Sequence, residues 1–263
     1  MLPFGRRSPP TAAVDAWDFA ALTDAGRVRG NNEDAIAFDA ELGLALLADG
    51  MGGYNGGEVA SDMAITLLHA SFGRWAARVG LPAPARAVRR ALQAGVDEAN
   101  SAILKAGMGS QLLYGMGTTL VLATFGARSV VVGHIGDSRC YRLRGGRLEQ
   151  LTHDHSLLQE QLDAGLVTQE QAAHSNQRNL VTRALGVEHT VDMELHEHAA
   201  QPGDLYLLCS DGLTEMVPDV ELFTLLTRDV DLPSLATLLV ANANENGGRD
   251  NISVVLARAV ERE

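Results

Sequence analysis

The chain has 263 residues, enough to bury a large core, and its 33 acidic against 21 basic side chains leave a formal net charge of −12. That balance argues against nonspecific binding to nucleic acid or anionic membrane, because phosphates attract Lys and Arg. No apolar run approaches the roughly 18 residues of a membrane span, and Cys140 and Cys209 each fall inside a strand-like run, so neither a membrane anchor nor a disulfide framework is expected.

The opening MLPFGRRSPP carries prolines and arginines but no apolar stretch of signal-peptide type, and residues 1–14 read as a disordered tail ahead of one domain over 15–260. Trp17 to Thr23 has the composition of an edge strand. Ala35 to Phe38 and Leu42 to Ala48 read as a hairpin pair around Asp39-Ala40-Glu41. Two helices follow, one from Gly57 to about Arg78 and one from about Ala85 to Lys105, divided by Pro82 and Pro84. From Gly117 the period changes to that of strands: TTLVLATF, SVVVGHIG and CYRLRGG, expected as an antiparallel meander with Gly145-Gly146 as a turn. Asp154 to about Gln177 holds two short helical pieces. Strands are expected again at Thr190–His198 and Asp204–Ser210, then helices at Pro218–Thr227 and Leu232–Asn244 and a last strand at Asn251–Arg258. This order does not alternate as βαβ units, so an antiparallel α+β layered fold is expected.

Leu42 to Gly53, LGLALLADGMGG, organises the chemistry: an apolar strand ends on Asp49, and glycines follow where only backbone fits. Glu33-Asp34 precede AIAF, Asp211 follows LYLLCS and Asp250 precedes ISVVLA. If these strand ends converge, four to five carboxylates meet in one hollow, and such a cluster stays ionised only with cations. Taken alone, Asp49-Gly50 is only a turn signal, Arg29 a surface arginine and Asp137 a turn cap. His153-x-His155 and His196-x-His198 have a spacing able to bind zinc, but no Cys or third His is expected to complete either site, so they are read as residues of the surface or of the irregular segment over 153–185. His134 is expected in the core and His174 on the surface. Gly52, Gly53, Gly56 and Gly57 are not followed by the Lys of a phosphate-cradling loop.

Four ordered segments, RVRGNNEDAIAFD, ADGMGGYNGGEVAS, GMGTT with VGHIGDSRCYRLR, and CSDGLTEMV with GGRDNISVV, together resemble the type 2C metal-dependent protein phosphatases (the PPM family) in their bacterial form. The resemblance implies a four-layer αββα sandwich and hydrolysis of phosphoserine and phosphothreonine by a metal-bridged hydroxide, without a phosphoenzyme. It implies two Mn²⁺ or Mg²⁺ ions, with Asp49 bridging them, the Gly50 carbonyl on one, and Asp211 and Asp250 completing the other. Glu33 and Asp34 would hold metal-bound waters, Asn251 would orient Asp250, and Arg29 would grip the phosphate as a fork. Asp137 matches the position of a third, weaker ion. Met51 stands where animal and plant members carry a histidine, so a metal-bound water is the expected proton donor to the leaving alkoxide. His153 to Leu185 resembles the bacterial flap, with Asn176 in place of a common proline. The implied partners are phosphorylated proteins, including a Ser/Thr kinase and its substrates, met by a cytoplasmic monomer. Neither cysteine lies in a CxxxxxR arrangement, which excludes a cysteine-based phosphatase.

Overall fold

The computed structural model of the chain describes residues 16–53, 56–173 and 180–260. The expected tail over 1–14, and His174 and Asn176 of the flap, lie outside them. In chain order the strands are β1 (Ala16–Asp24), β2 (Asp34–Asp39), β3 (Leu44–Met51), β4 (Gly117–Thr118), β5 (Leu120–Phe125), β6 (Ser129–Ile135), β7 (Arg139–Arg144), β8 (Arg147–Gln150), β9 (Glu194–Ala199), β10 (Leu205–Cys209) and β11 (Ile252–Val260). The helices are α1 (Gly56–Val79) and α2 (Ala85–Gly109) after β3, α3 (Leu157–Asp163) and α4 (Gln169–Ala173) in the flap, α5 (Asp211–Thr214), α6 (Asp219–Leu226) and α7 (Leu232–Glu245). Among the described residues no helix is long and apolar enough to cross a membrane.

Two antiparallel sheets face each other. One has the order β1-β11-β10-β7-β8; the other runs β2-β3-β5-β6-β9, with β4 extending the end of β3. Side chains alternate across each strand, and here both faces are covered. Leu44, Leu46 and Ala48 of β3 pack under α1 and α2, while Ala45 and Leu47 point into the layer between the sheets. In β10, Leu205, Leu207 and Cys209 meet α6 and α7, while Tyr206 and Leu208 point inward with Val255 and Ala257. Three apolar layers result, helix on sheet, sheet on sheet and sheet on helix, which is the expected αββα sandwich. Double-sided burial also explains why LALLA and LYLLC read as unbroken apolar runs rather than alternating ones. Both cysteines are buried free thiols.

The expected meander is only half present. β5 and β6 form a hairpin, but β7 crosses to the other sheet, where it pairs with β10 and with β8. The crossover turns on Gly136, at φ +100°, where a Cβ would sit 2.7 Å from the Thr119 side chain. CYRLR thus starts a different hairpin, closed by Gly145 and Gly146 at φ +53° and +75°. The expected strand from Thr190 begins only at Glu194, because the segment before it is held by the α2 side chain of Asn100, whose amide donates to Glu188 O at 2.9 Å. Trp17–Thr23 is an edge strand as expected, with the indole Nε1 donating to Gly126 O of the opposite sheet at 3.2 Å. The inter-sheet layer sets the spacing of the strand ends, and Leu208 is fully buried in it. Leu208→Ala should cost about 2–5 kcal/mol, read as a lower urea midpoint at unchanged slope; an unshifted midpoint would mean the layer is not closed at that position.

Candidate metal centre

Each site residue sits where a strand stops. Asp34 opens β2 and lies directly opposite Asp49, at the end of β3. Asp211 follows β10 and Asp250 precedes β11, strands that pair with each other in the opposite sheet. Asp137 lies on the crossover between the sheets. One end of the sandwich therefore gathers Asp34, Asp49, Asp137, Asp211 and Asp250 closely enough that the charges of the other four all press on Asp49.

The cluster resists ionisation. Asp34 is pushed up to about 6, first by burial and then by the charge of Asp250, against the opposing hydrogen bonds of Ser253 and Ser210. Asp137 is pushed up to about 6, by burial and by Asp154. Asp49 and Asp211 are raised well above the usual carboxylate range, by burial first and then by neighbouring carboxylates, Asp34 leading for Asp49 and Asp137 for Asp211. Glu33 is raised chiefly by burial. Oδ1 of Asp34 is buried with no hydrogen-bond partner. Gly50 belongs to the same hollow: a Cβ there would run into the carbonyls of Gly57 and Glu33. Oxygen donors, unmet negative charge and an orphaned carboxylate oxygen are what hard divalent cations require. Asp49, Asp211 and Asp250, with the Gly50 carbonyl, could hold two such ions, and Glu33, Asp34 and Asp137 could hold their waters or a further ion.

Several neighbours that the sequence reading passed over fix this arrangement. Thr118 Oγ1 donates to Asp49 O at 2.9 Å, and the Asp49 amide donates to Thr119 Oγ1 at 3.0 Å. Thr119 Oγ1 in turn meets Ser138 Oγ at 2.8 Å, beside Asp137. Ser210 Oγ donates across the sandwich to Asp34 Oδ2 at 2.9 Å. Glu215 adds a carboxylate beside Asp137 and Asp211. The signals were present in GMGTT, GDSR and CSDG, but which partner each hydroxyl takes depends on contacts between the two sheets. Asn251 orients Asp250 as expected, through its main chain, and has a second task. Its backbone amide donates to Asp250 Oδ1 at 2.8 Å, while its side chain accepts from the Glu33 amide at 2.8 Å and donates to Asn31 O at 2.9 Å and Ala25 O at 3.1 Å. Asn251 thereby staples the Ala25–Glu33 loop to β11. Arg29 leaves that loop and pairs through Nη2 with Asp250 Oδ2 at 2.6 Å, its side chain 52% exposed. Met51 pairs with Gly117 in the β3–β4 ladder.

The flap joins this end of the sandwich at its base. Ser156 pairs with Val181 and Leu185 with Thr118, the residue that also holds Asp49. His155 donates its amide to Gly136 O at 2.9 Å, and the Gly136 amide donates back to His155 Nδ1 at 3.1 Å. His155 is therefore not a surface residue, and a further histidine does come to it: the His134 ring stacks on it with centroids 4.6 Å apart. His134, His155 and Glu194 each place a donor atom within 4.8 Å of the others. A metal does not fit there. Nδ1 of His155 accepts a backbone N–H, so Nε2 carries the proton that reaches Glu194 Oε1 at 3.1 Å, and a metal on Nε2 would demand an imidazolate. His134, with Nε2 donating to His153 O at 2.7 Å and its proton affinity lowered to about 4 chiefly by burial, is the satisfied core residue expected. His153 instead reaches Asp163 at 2.7 Å, so the two members of the HxH pair serve different partners.

Raised carboxyls make the metal-free protein pH-sensitive. With Asp34 and Asp137 pushed up to about 6 and Asp49 and Asp211 raised well above the usual carboxylate range against about 3.9 unfolded, the folded state binds more protons, so stability falls as pH rises from the unfolded value through the folded ones. Metal-stripped protein should therefore melt lower at about pH 7.5 than at about pH 5, and Mn²⁺ should raise the melting temperature more at the higher pH, where fewer protons compete. The reverse order in differential scanning fluorimetry would refute a carboxylate cation site.

Comparison with known proteins agrees with this geometry. The protein phosphatase 2C family matches residues 26–252. A serine/threonine phosphatase Stp of Listeria monocytogenes is 39% identical over 244 residues, 92% of this chain and 94% of that one. The serine/threonine protein phosphatase PstP of Mycobacterium tuberculosis is 41% identical over 92% of this chain and 45% of its own length. A crystal structure of that PstP superposes with a TM-score of 0.85 at 38% identity, over 93% of this chain and 99% of the other. A second PstP catalytic-domain structure, in complex with two manganese ions, superposes at 0.82. Together, strand-end carboxylates and matches spanning nearly the whole chain establish that it belongs to the protein phosphatase 2C family.

Proposed function

We propose that the chain is a metal-dependent serine/threonine phosphatase, hydrolysing phosphoserine and phosphothreonine in proteins at the carboxylate end of the sandwich. The observation that carries this reading is the convergence of Asp34, Asp49, Asp137, Asp211 and Asp250 at one end of the sandwich, where burial and neighbouring carboxylates raise the first four. Divalent ions bound there would make a water nucleophilic at neutral pH and neutralise the phosphoryl oxygens. The relatives' names, the two manganese ions of PstP and the chain's own hard-oxygen donors support two Mn²⁺ or Mg²⁺ ions. Asp137, raised like the others and next to Glu215, supports a third, weaker one.

The protein's own groups do the positioning. Asp49, Asp211 and Asp250 would hold the ions, with the Gly50 carbonyl brought in because no side chain intrudes; Glu33 and Asp34 would orient water beside them. Arg29 sits on a half-exposed arm at the rim, ion-paired to Asp250, and passes to the incoming phosphate, whose charge and fork geometry match its guanidinium better than a single carboxylate oxygen does. Met51 has no proton to give the leaving alkoxide, so that proton comes from water. The flap over 153–185 supports an enzyme that opposes a Ser/Thr kinase. A net charge of −12 opposes self-association, in keeping with a monomer, and two buried free thiols suit a reducing cytoplasm.

Phosphate release from a phosphothreonine peptide should vanish with EDTA, return with Mn²⁺, and be absent from Asp49→Asn under either condition; release that ignores EDTA would overturn the reading. A small-molecule phosphoesterase would instead turn over nitrophenyl phosphate far better than the peptide. Arg29→Ala should raise KM at least about tenfold with a smaller change in kcat, since a hydrogen bond to a charged group is worth about 1.5–3 kcal/mol. An unchanged KM would remove Arg29 from the phosphate site.

A further inference from the structure

In this acidic chain most arginines near the catalytic end are neutralised: Arg29 by Asp250, Arg139 by Asp154 and Arg183 by Glu194. The first turns of α2 are different. Arg86, Arg89 and Arg90 stand at positions i, i+3 and i+4, hence on one helix face, and all three are exposed. Among the described residues no carboxylate pairs with any of them; Arg89 only donates to Leu195 O of β9 at 3.1 Å. With Gln93 and with Met193, Leu195 and Glu197 they line a hollow of about 610 Å³. β9 is an edge strand, so one side of its backbone has no strand partner.

This hollow lies along a path to the metal end. The segment just before β9, Thr182 to Asp192, lines a second hollow of about 620 Å³. That segment starts beside the centre: Leu185 pairs with Thr118, and a Cβ on Gly117 would touch Leu185 O and the Val187 side chain at 3.0 Å. Residues 185–197 thus form one wall running from the β3–β4 ladder to the arginine face.

We propose that Arg86, Arg89 and Arg90 are a docking site for an acidic segment of the phosphoprotein substrate, confined to the arginine face because the wall beyond it carries Glu188, Asp192 and Glu194, while a linked, less acidic stretch of the same substrate brings its phosphorylated residue to the metal centre. The proposal rests on the phosphatase reading for the origin of the partner, and on charge complementarity for its chemistry. Three guanidinium forks match a short run of carboxylates. They are too few, on a body of net charge −12, to hold a nucleic acid or an anionic bilayer, whose binding needs many simultaneous phosphate contacts.

The test uses the full chain and its Arg86→Glu/Arg90→Glu variant, leaving Arg89 to hold Leu195. Fluorescence anisotropy would compare an unphosphorylated Glu/Asp-rich peptide with a Ser/Gly-rich one, beside single-stranded DNA and phosphatidylserine vesicles. The wild type should bind the acidic peptide in preference to the other three, more weakly as salt rises, and the variant should lose about tenfold or more in affinity. Equal binding by variant and wild type, no binding of the acidic peptide, or tighter binding of DNA or vesicles would overturn the docking site. Nitrophenyl phosphate turnover with Mn²⁺ should be the same in both proteins. Absence of turnover in both would sink the phosphatase reading, while the anisotropy would still decide the docking site by itself.

Discussion

Repulsion among carboxylates is the constraint around which this molecule is built. Asp34 and Asp49 come from one sheet, Asp211 and Asp250 from the other, and Asp137 from the crossover between them, yet all five meet at one end of the sandwich. Left to themselves such groups would part or take up protons. They are held together because each lies at, or within two residues of, the end of a strand in a sheet that is packed on both faces. Three apolar layers therefore set the separation of the charges, and the cost of crowding them is recovered when cations bind.

Around that cluster, hydroxyls and amides do what the carboxylates cannot do for one another. Thr118 and Thr119 fix the backbone of Asp49, Ser138 ties Thr119 to the Asp137 loop, and Ser210 reaches from one sheet to Asp34 in the other. Asn251 performs the same service for the loop that carries Arg29 and Glu33. The flap is joined to this same framework, at Thr118 through Leu185 and at Gly136 through His155. Each of these two links is a reciprocal pair of hydrogen bonds, to residues adjoining Asp49 and Asp137.

Most of the architecture was legible in the chain. Apolar runs ending on aspartate, glycines after Asp49, prolines between α1 and α2, and the Gly145-Gly146 turn are local signals, and the structure bears them out. The errors share one cause. β7 was read as the third strand of a meander because periodicity reports that a segment is extended and not which sheet it joins. His155 lies in the flap segment, but no third histidine was expected beside it, because its partners, His134, Glu194 and Gly136, are brought to it from 39 or fewer residues away only by strand pairing. Asn251 orients its neighbour Asp250 as expected, but the loop more than 200 residues earlier that its side chain serves is not legible along the chain.

By itself, then, the sequence determined which residues could carry the chemistry, since carboxylates at strand ends, clearing glycines and a forked cation are written in residue types and short spacings. It also determined the layered class of fold, because double-sided apolar strands demand cover on both faces. Tertiary structure decided what the carboxylates are to one another: proton affinity depends on burial and on charges supplied by the opposite sheet, and neither can be read along one chain. It decided equally that the stacked histidines make a clamp and not a metal site, because the Gly136 amide settles which nitrogen of His155 bears the proton.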